Sequence, residues 1–134
     1  MSTDTRWRQR YVNFQKAMRQ LDAAVELEDY TDLEREGLIQ RFEYCIELAW
    51  KTLQDLLGAK GYDIKGPVPV IKQAFQDGYL LDGDTWLEMW DSRKLTSHTY
   101  NEDTAIEIAD KIKNEYYFQL DALDKRLAEE KEEE

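Results

Sequence analysis

Apolar residues near the N-terminus recur in alternating steps of four and three positions. At 3.6 residues per turn, this spacing places them on a single face of an α-helix and leaves the other faces to polar and charged residues. The segment is therefore predicted to form an amphipathic helix that packs against a core. Its apolar stripe consists of Trp7, Tyr11, Phe14, Met18, Leu21 and Val25.

A second helix is predicted to begin near Thr31. Thr31 and Glu34 have the spacing of a capping box, in which each side chain accepts a hydrogen bond from the backbone N–H of the other residue. The apolar stripe that follows is wider than that of the first helix, so we expect the second helix to lie centrally in a bundle. The stripe contains Leu38, Phe42, Cys45, Ile46, Ala49, Trp50, Leu53, Leu56 and Leu57.

Glycine and proline residues separate three further helices from these two. The segment PVPVIKQAFQDG predicts a short third helix that begins at Pro67 and ends before Gly78. A fourth helix, containing TWLEMWDSRKL, is expected to begin near Asp84, whose side chain can cap it. A fifth helix is expected to begin near Asn101 and to fray after Leu127.

These elements predict an all-α protein. No segment shows strand-like alternation, so the expected architecture is an antiparallel bundle of about five helices, three long and two short. The 134 residues are enough for one domain, and the chain contains neither an internal repeat nor an interdomain linker. We expect a single helical domain over residues 1–134, with an acidic C-terminal tail at residues 128–134.

The composition is that of a globular protein, with 42% hydrophobic and 12% aromatic residues. No run approaches the length of a membrane span, and the N-terminal sequence MSTDTRWRQRYVNF lacks the apolar region of a secretory signal. A single cysteine, Cys45, cannot form an internal disulfide. Together these features predict a cytoplasmic protein that does not associate with membranes.

The charge of the chain restricts its partners. A formal net charge of −11 repels a polyanion over long range, so binding to duplex DNA is not expected. The C-terminal sequence EEKEEE carries −4 of this total, and the rest of the chain is still acidic. Any nucleic-acid site must therefore be small and locally basic, and Arg93 with Lys94 is the candidate.

Metal and cofactor sites find no support in the sequence. A di-metal site in a helical bundle needs Glu-x-x-His pairs on two helices, whereas the one histidine here, His98, has Leu95 three positions before it. The segment GAKGYDIKG lacks the ending of a phosphate-binding loop. Cys45 lies on an apolar stripe, which favours a core thiol over a nucleophile. We expect neither a metal nor a cofactor.

Two groups of aromatic residues are candidates for a subunit interface. Trp86 and Trp90 stand four positions apart, with Met89 beside them, which favours a core or interface stripe over a ligand cage. Tyr116, Tyr117 and Phe118 are consecutive and cannot share one helical face. At least one of these three side chains is expected to point outward or into a partner, which favours an oligomer.

The segment SRKLTSHTY, residues 92–100, places the single histidine in a polar cluster. Arg93 can bind a phosphate, His98 can transfer a proton, and Tyr100 offers a hydroxyl. Residues five apart lie about 140° apart around a continuous helix, so Arg93 and His98 converge only if the helix ends near Ser97 and the chain turns. On these residues alone, a structural helix-end cap is the stronger interpretation.

Three longer segments accompany this cluster, whose spacing is R-x4-H-x-Y. The spacing resembles the signature of HEPN-domain proteins, and more closely that of the toxin subunit of the HEPN/minimal-nucleotidyltransferase toxin–antitoxin pair. In order and spacing, the three segments resemble the subfamily named nucleotidyltransferase substrate-binding proteins, and the resemblance covers roughly residues 7–127. The segments are GLIQRFEYCIELAWKTL at 37–53, PVPVIKQAFQDGYL at 67–80 and WLEMWDSRKLTSHTYNE at 86–102.

The resemblance implies a five-helix bundle that forms a homodimer, with a composite site in the cleft between the two copies. Many HEPN proteins are metal-independent ribonucleases, so Arg93 would hold the scissile phosphate and His98 would act as general acid or base. The attacking group would be the 2′-hydroxyl of the RNA, which DNA lacks. A partner nucleotidyltransferase, the antitoxin, would silence the ribonuclease by attaching AMP to Tyr100.

Lys94 departs from the family, in which a small polar residue commonly follows the arginine. Lys94 can add positive charge for an RNA contact, with Ser97 as a further candidate, or it can mark a protein that binds RNA without cleaving it. The alternative function is therefore a non-catalytic accessory subunit that binds a nucleotide or positions a substrate for a nucleotidyltransferase. The residues do not choose between the two functions.

Overall fold

The computed structural model of the chain describes residues 2–133, and within that range it contains five helices and no strand. The helices are α1 (Thr3–Val25), α2 (Asp32–Ala59), α3 (Pro67–Gln76), α4 (Gly83–Leu95) and α5. Helix α5 has an α-helical first part (Glu102–Lys111), a π-helical turn (Ile112–Tyr116) and an α-helical second part (Tyr117–Glu132). The predicted all-α bundle, with three long and two short helices, is confirmed.

Helix α2 occupies the centre of the bundle, as its wide apolar stripe predicts. It runs antiparallel to α1 along most of its length and also contacts α3, α4 and both α-helical parts of α5. The α1 stripe faces it, and five of the six predicted residues there are fully buried, while Val25 is partly buried. The largest fully buried side chains of the core are Trp7, Trp86, Tyr11, Tyr116, Phe14 and Phe42.

Side-chain caps define where the helices begin. The capping box at α2 is present, because Thr31 accepts a hydrogen bond from the Glu34 N–H at 3.1 Å and Glu34 accepts one from the Thr31 N–H at 2.9 Å. The expectation for α4 was wrong by two residues. Its N-cap is Asp82, whose carboxylate accepts from the backbone N–H of Thr85 at 3.2 Å, whereas Asp84 lies in the first turn.

The second part of α5 does not fray after Leu127 as expected, but continues as helix to Glu132. Glu130 explains the difference, because its side chain is only 4% exposed despite its charge. It pairs with Lys60 at 2.8 Å, accepts a hydrogen bond from the Tyr79 hydroxyl at 3.0 Å and pairs with Arg126 at 3.4 Å. These contacts fix the acidic end of the chain to the rest of the bundle.

Two tyrosine contacts, one buried and one partly buried, join the same part of α5 to α1. The Tyr11 hydroxyl donates to the backbone oxygen of Asp124 at 2.9 Å, and the Asp124 carboxylate pairs with Arg19 at 2.7 Å. The Tyr117 hydroxyl donates to Asp22 at 2.7 Å. Burial, with the neighbouring carboxylates, raises the pKa of both tyrosines, so they remain protonated donors at neutral pH.

Within residues 2–133, no helix combines the length and the apolar composition that crossing a membrane requires.

The anchor at Glu130 makes stability depend on pH. Burial on its own would raise the pKa of Glu130, but the hydrogen bonds from Lys60 and Tyr79 and the charges of Lys60 and Arg126 outweigh it, so the pKa is lowered. A carboxyl with a lowered pKa stabilises the fold fully above the unfolded-state pKa of about 4.3. Its contribution is lost as the pH falls further, through the folded-state pKa.

We predict that Glu130→Gln lowers the free energy of unfolding by about 1–3 kcal/mol at neutral pH, because a buried, charged acceptor is lost. The difference from the unsubstituted chain should shrink as the pH falls below the unfolded-state pKa of about 4.3 and then through the lowered pKa of Glu130 in the folded state. Thermal unfolding at neutral pH and in a series of increasingly acidic buffers measures the two effects, with the exposed neighbour Glu129→Gln as matched control. Equal melting temperatures for the two variants at neutral pH would contradict the prediction.

Candidate functional site

The polar cluster lies on the connection between α4 and α5. Helix α4 ends at Leu95, and a 3₁₀ turn, Thr96–His98, follows it. The buried Thr96 hydroxyl donates to the carbonyl oxygen of Arg93 at 2.6 Å, and Asn101 then caps α5 by accepting from the Thr104 N–H at 3.2 Å. The short polar side chains thus end one helix and begin the next, which produces the turn that the sequence predicts.

His98 and Tyr100 are brought together at this turn. The Tyr100 hydroxyl lies 3.5 Å from Nδ1 of His98, and the two rings meet edge to face with their centroids 5.9 Å apart. Both side chains are exposed, Tyr100 to 86%. A separation of 3.5 Å is at the limit of a hydrogen bond. The two residues are therefore neighbours that solvent, substrate or a partner protein can reach.

Arg93 points away from them, toward α2. Its guanidinium lies 3.4 Å from Glu47 and 3.8 Å from Glu43, and it donates to the Thr96 hydroxyl at 3.1 Å. Among residues 2–133 no hydrogen bond joins Arg93 to His98; Arg93 pairs with α2, whereas His98 lines a cavity between α4 and α5. The sequence analysis missed Glu43 and Glu47, although both lie off the apolar stripe of the predicted second helix, four positions apart.

Lys94 and Ser97 lie on the exposed side of the turn. Lys94 pairs with Asp91 at 3.5 Å, and the Ser97 hydroxyl donates to the carbonyl oxygen of Lys94 at 3.2 Å. Between residues 2 and 133, neither has a polar contact with His98 or Tyr100. Both remain accessible to a ligand, but neither is positioned by the protein to contact the His98 imidazole.

A cavity of about 440 Å³ opens beside His98, between α4 and α5. The Tyr116 hydroxyl donates to Glu88 at 2.8 Å and lies 2.8 Å from the Ser92 hydroxyl, which can donate to it in turn. Lys111 lies 3.6 Å from the same oxygen of Glu88. The sequence analysis missed this polar network, which its residue types gave no reason to group. Tyr116 lies at the end of the π-helical turn and is buried there.

Burial raises the pKa of Tyr116, and the Glu88 carboxylate adds to the effect although the Ser92 hydroxyl opposes it. Tyr116 therefore stays protonated and keeps donating to Glu88 at neutral pH. Its ring stacks on Phe42 with a centroid separation of 5.6 Å, so the hydroxyl is held by the core of the bundle. The cavity beside His98 consequently has one rigid wall.

Tyr100 faces a different cavity, of about 260 Å³, on the α2 side of the turn. Its other walls include Arg35 and the acidic residues Asp32, Glu36 and Glu102. His98 and Tyr100, although neighbours, therefore line separate cavities. The turn that carries them forms a partition between an α4–α5 cavity and an α2–α5 cavity.

The aromatic residues that the sequence suggested for a subunit interface, and Cys45, lie partly in the core and partly at the surface. Trp86 and Met89 are fully buried, whereas Trp90 is partly buried and meets Trp50 edge to face at 6.2 Å. Phe118 is 60% exposed, which confirms that one member of the Tyr116–Phe118 run points outward. Cys45 is fully buried, and burial raises the pKa of its thiol to about 12, so it is a core thiol.

Comparison with known proteins places the chain in a family. A family model described as nucleotidyltransferase substrate binding protein like matches residues 9–129, which is most of the chain. This chain belongs to that family. The match includes all the residues of the turn and of the two cavities beside it, and it confirms the resemblance on which the sequence analysis relied.

Individual relatives agree with this assignment. A crystal structure of a protein from Thermus thermophilus is 38% identical, with a TM-score of 0.79 over 85% of this chain and 98% of that one. A Haemophilus influenzae structure, described as the fold of a substrate binding domain of a nucleotidyltransferase, has a TM-score of 0.67 at 20% identity, over 92% of this chain and 98% of that one. The latter likeness shows the fold alone.

One curated relative, the probable ribonuclease HepT of Haemophilus influenzae, is 30% identical over 77 residues. The match covers 54% of this chain and 53% of the relative, so the chain spans about half the length of the curated protein it matches.

Proposed function

We propose that this chain is a HEPN-type ribonuclease, the toxin of a toxin–antitoxin pair, and that a partner nucleotidyltransferase silences it by attaching AMP to Tyr100. The observation that carries the proposal is the exposed pair of His98 and Tyr100, whose side chains lie 3.5 Å apart at the end of α4. A proton-transfer group and an acceptor hydroxyl are then adjacent, so that modification of one directly affects the other. The likeness to a probable ribonuclease supports the same conclusion.

The proposed cleavage needs no metal. The 2′-hydroxyl of the RNA attacks the neighbouring phosphorus, the bond to the 5′-oxygen of the next nucleotide breaks, and a 2′,3′-cyclic phosphate and a 5′-hydroxyl result. His98 takes the proton from the 2′-hydroxyl or gives one to the leaving oxygen. Arg93 stabilises the negative charge that develops on the phosphate, for which its planar guanidinium is suited. Lys94 and Ser97, both exposed, are candidates for further contacts to the RNA.

We propose that the active site is shared between two copies of the chain in a homodimer. Arg93 is paired with Glu47 of α2, whereas His98 lines the cavity between α4 and α5, which supports a site that takes one of the two groups from each copy. A second copy can supply the missing group. The half-buried Trp90 and the exposed Phe118 are aromatic side chains that such an interface would cover.

AMP transfer to Tyr100 adds charge where the ribonuclease needs to bind a phosphate. The Tyr100 hydroxyl attacks the α-phosphorus of ATP, pyrophosphate leaves, and the new phosphodiester comes to lie beside His98. The Tyr100 side chain is 86% exposed, so a partner enzyme can reach it without unfolding the turn. The net charge of −11 would attract a basic nucleotidyltransferase to this surface.

The alternative function, a non-catalytic accessory subunit of a nucleotidyltransferase, is favoured by one observation. Arg93 is already paired with two carboxylates, Glu43 and Glu47, and a phosphate has to displace them before it can bind. If that displacement does not occur, the chain can present a substrate or a nucleotide to its partner but cannot cleave RNA.

Substitution of His98 or Arg93 distinguishes the ribonuclease from the non-catalytic accessory subunit. We predict that His98→Ala lowers the rate of RNA cleavage by about 100-fold or more, the range that general acid–base groups contribute. Its stability should change by less than about 1 kcal/mol, because the side chain is exposed. Arg93→Ala should be similarly inactive, and exposed Lys65→Ala is the charge-matched control. Cleavage of labelled RNA by the unmodified protein is the measurement, and full activity of His98→Ala would favour the accessory function.

A site shared between two copies predicts that two inactive variants restore activity when they form mixed dimers. Light scattering should give twice the 15.9 kDa mass of one chain. Arg93→Ala and His98→Ala, each inactive alone, should recover about a quarter of the normal activity when co-refolded in equal amounts, because half of the dimers are mixed and each has one intact site. A monomeric mass, or no recovery in dimers shown to be mixed, would contradict a site built from Arg93 of one copy and His98 of the other.

Tyr100→Phe should leave cleavage largely intact and prevent silencing. With the partner nucleotidyltransferase and ATP, the unsubstituted chain should gain the mass of AMP and lose activity, whereas Tyr100→Phe should do neither. The matched control is Tyr62→Phe, another exposed tyrosine, which should be modified and silenced normally. Intact-mass spectrometry with a cleavage assay on the same samples gives both readouts. AMP found on Tyr100→Phe would assign the modification to another residue.

A further inference from the structure

We infer that the cavity between α4 and α5 binds a guanine base of the RNA, next to the phosphate that is cleaved. This inference rests on the proposed function, because it gives that site a base preference. The cavity encloses about 440 Å³, which is within the range of small-ligand sites, and His98 stands on its wall. A nucleotide whose base occupies the cavity therefore has its sugar and phosphate close to His98.

The charges of the cavity favour a base over a phosphate. Two carboxylates, of Glu88 and Glu107, line it together with one ammonium group, of Lys111. Lys111 is shared between Glu88 at 3.6 Å and Glu115 at 3.4 Å, and these carboxylates raise its pKa. The cation is thus already neutralised by protein groups, and an anion entering the cavity would be repelled.

The pattern of donors and acceptors matches guanine. Guanine presents two adjacent donors, N1–H and the 2-amino group, beside one acceptor, O6, and the cavity offers carboxylate acceptors beside one cationic donor. Adenine and cytosine each place an acceptor nitrogen next to their amino group, which a carboxylate would oppose. Uracil has a single donor between two acceptor oxygens. Guanine is therefore the base that two carboxylates and an ammonium can satisfy best.

The acceptors are available and one of them is held in place. Glu88 receives both the Tyr116 hydroxyl and Lys111 on the same oxygen, Oε2, which fixes the orientation of its carboxylate. Glu107 is exposed and has neither a hydrogen bond nor an ion pair to any residue between 2 and 133. A rigid and a free carboxylate on one cavity can receive two donors of a planar ring.

The rest of the wall is suited to the face of a ring. Leu95 is 50% exposed at this cavity, and Ile108 lies behind it in α5. A base stacked against Leu95 would cover this exposed apolar surface. Apolar contact on the ring face and polar contact on the ring edge are the usual division of a nucleobase site.

The first experiment measures base preference during cleavage. Oligonucleotides of uridine that contain one guanosine, inosine, adenosine or cytidine are compared by kcat/KM at that position. Guanosine should be preferred by about tenfold or more, and inosine, which lacks the 2-amino group, should lose about tenfold. Glu107→Gln should reduce the preference for guanosine over adenosine. Asp110→Asn, an exposed acid on the same helix outside the cavity, should leave it unchanged.

The second experiment measures binding without chemistry. NMR chemical-shift changes of His98→Ala are recorded with guanosine 3′-monophosphate and with adenosine 3′-monophosphate. The guanosine compound should bind at least tenfold more tightly and should shift the signals of Leu95 and Ile108.

Cleavage with equal kcat/KM at all four bases would overturn the guanine site and leave the ribonuclease proposal intact. Selective guanosine binding without cleavage of any RNA would support the site and overturn the ribonuclease. The guanine site would also be overturned if Glu107→Gln and Glu88→Gln both fold and both keep the preference for guanosine and the binding of guanosine 3′-monophosphate.

Discussion

Burial of α2 among the other four helices is the constraint on which the candidate site depends. The apolar side of this helix packs into the core, and α2 also contacts α4 and both α-helical parts of α5, the two helices that flank the turn. Phe42 stacks on Tyr116 and so sets one wall of the α4–α5 cavity, while Glu43 and Glu47, on the same helix, hold Arg93. A shift of α2 would therefore move Arg93 and the cavity together.

The pairing of Arg93 with acidic residues also shapes its affinity for anions. A guanidinium that already has two carboxylate partners is neutralised at rest, which reduces attraction to free phosphate and to other small anions. If the proposed ribonuclease function holds, an RNA that also places a base in a cavity and further phosphates on the protein would compete better for Arg93 than a small anion would. Selectivity for a polymer over a small anion would then come from competition within the protein.

Local features were predictable from the sequence, and non-local ones were not. The helices follow from periodicity, and the Thr31–Glu34 cap involves residues three positions apart, so both could be recognised without knowing the fold. Asp82 and Asp84 are equally good caps by composition, and only the path of the chain decides between them. Glu130 reaches Tyr79, 51 positions away, which no helical pattern reveals. The arginine, histidine and tyrosine were recognisable by family resemblance, but their separation onto different faces required the structure.

The π-helical turn makes the rotational register of the C-terminal half of α5 depend on one residue. A π turn holds one residue more than an α turn, so the helix that follows it is rotated by about 100° relative to a continuous α-helix. Asp124 and Glu130 both lie beyond that turn, and both reach their partners from the rotated position. If the same residues between Ile112 and Tyr116 formed an ordinary α-helix, both anchors would turn away from their partners. Loss of a single residue there would instead remove the π turn and leave Asp124 and Glu130 facing their partners, so this segment has one residue more than a regular α-helix could hold in the same bundle.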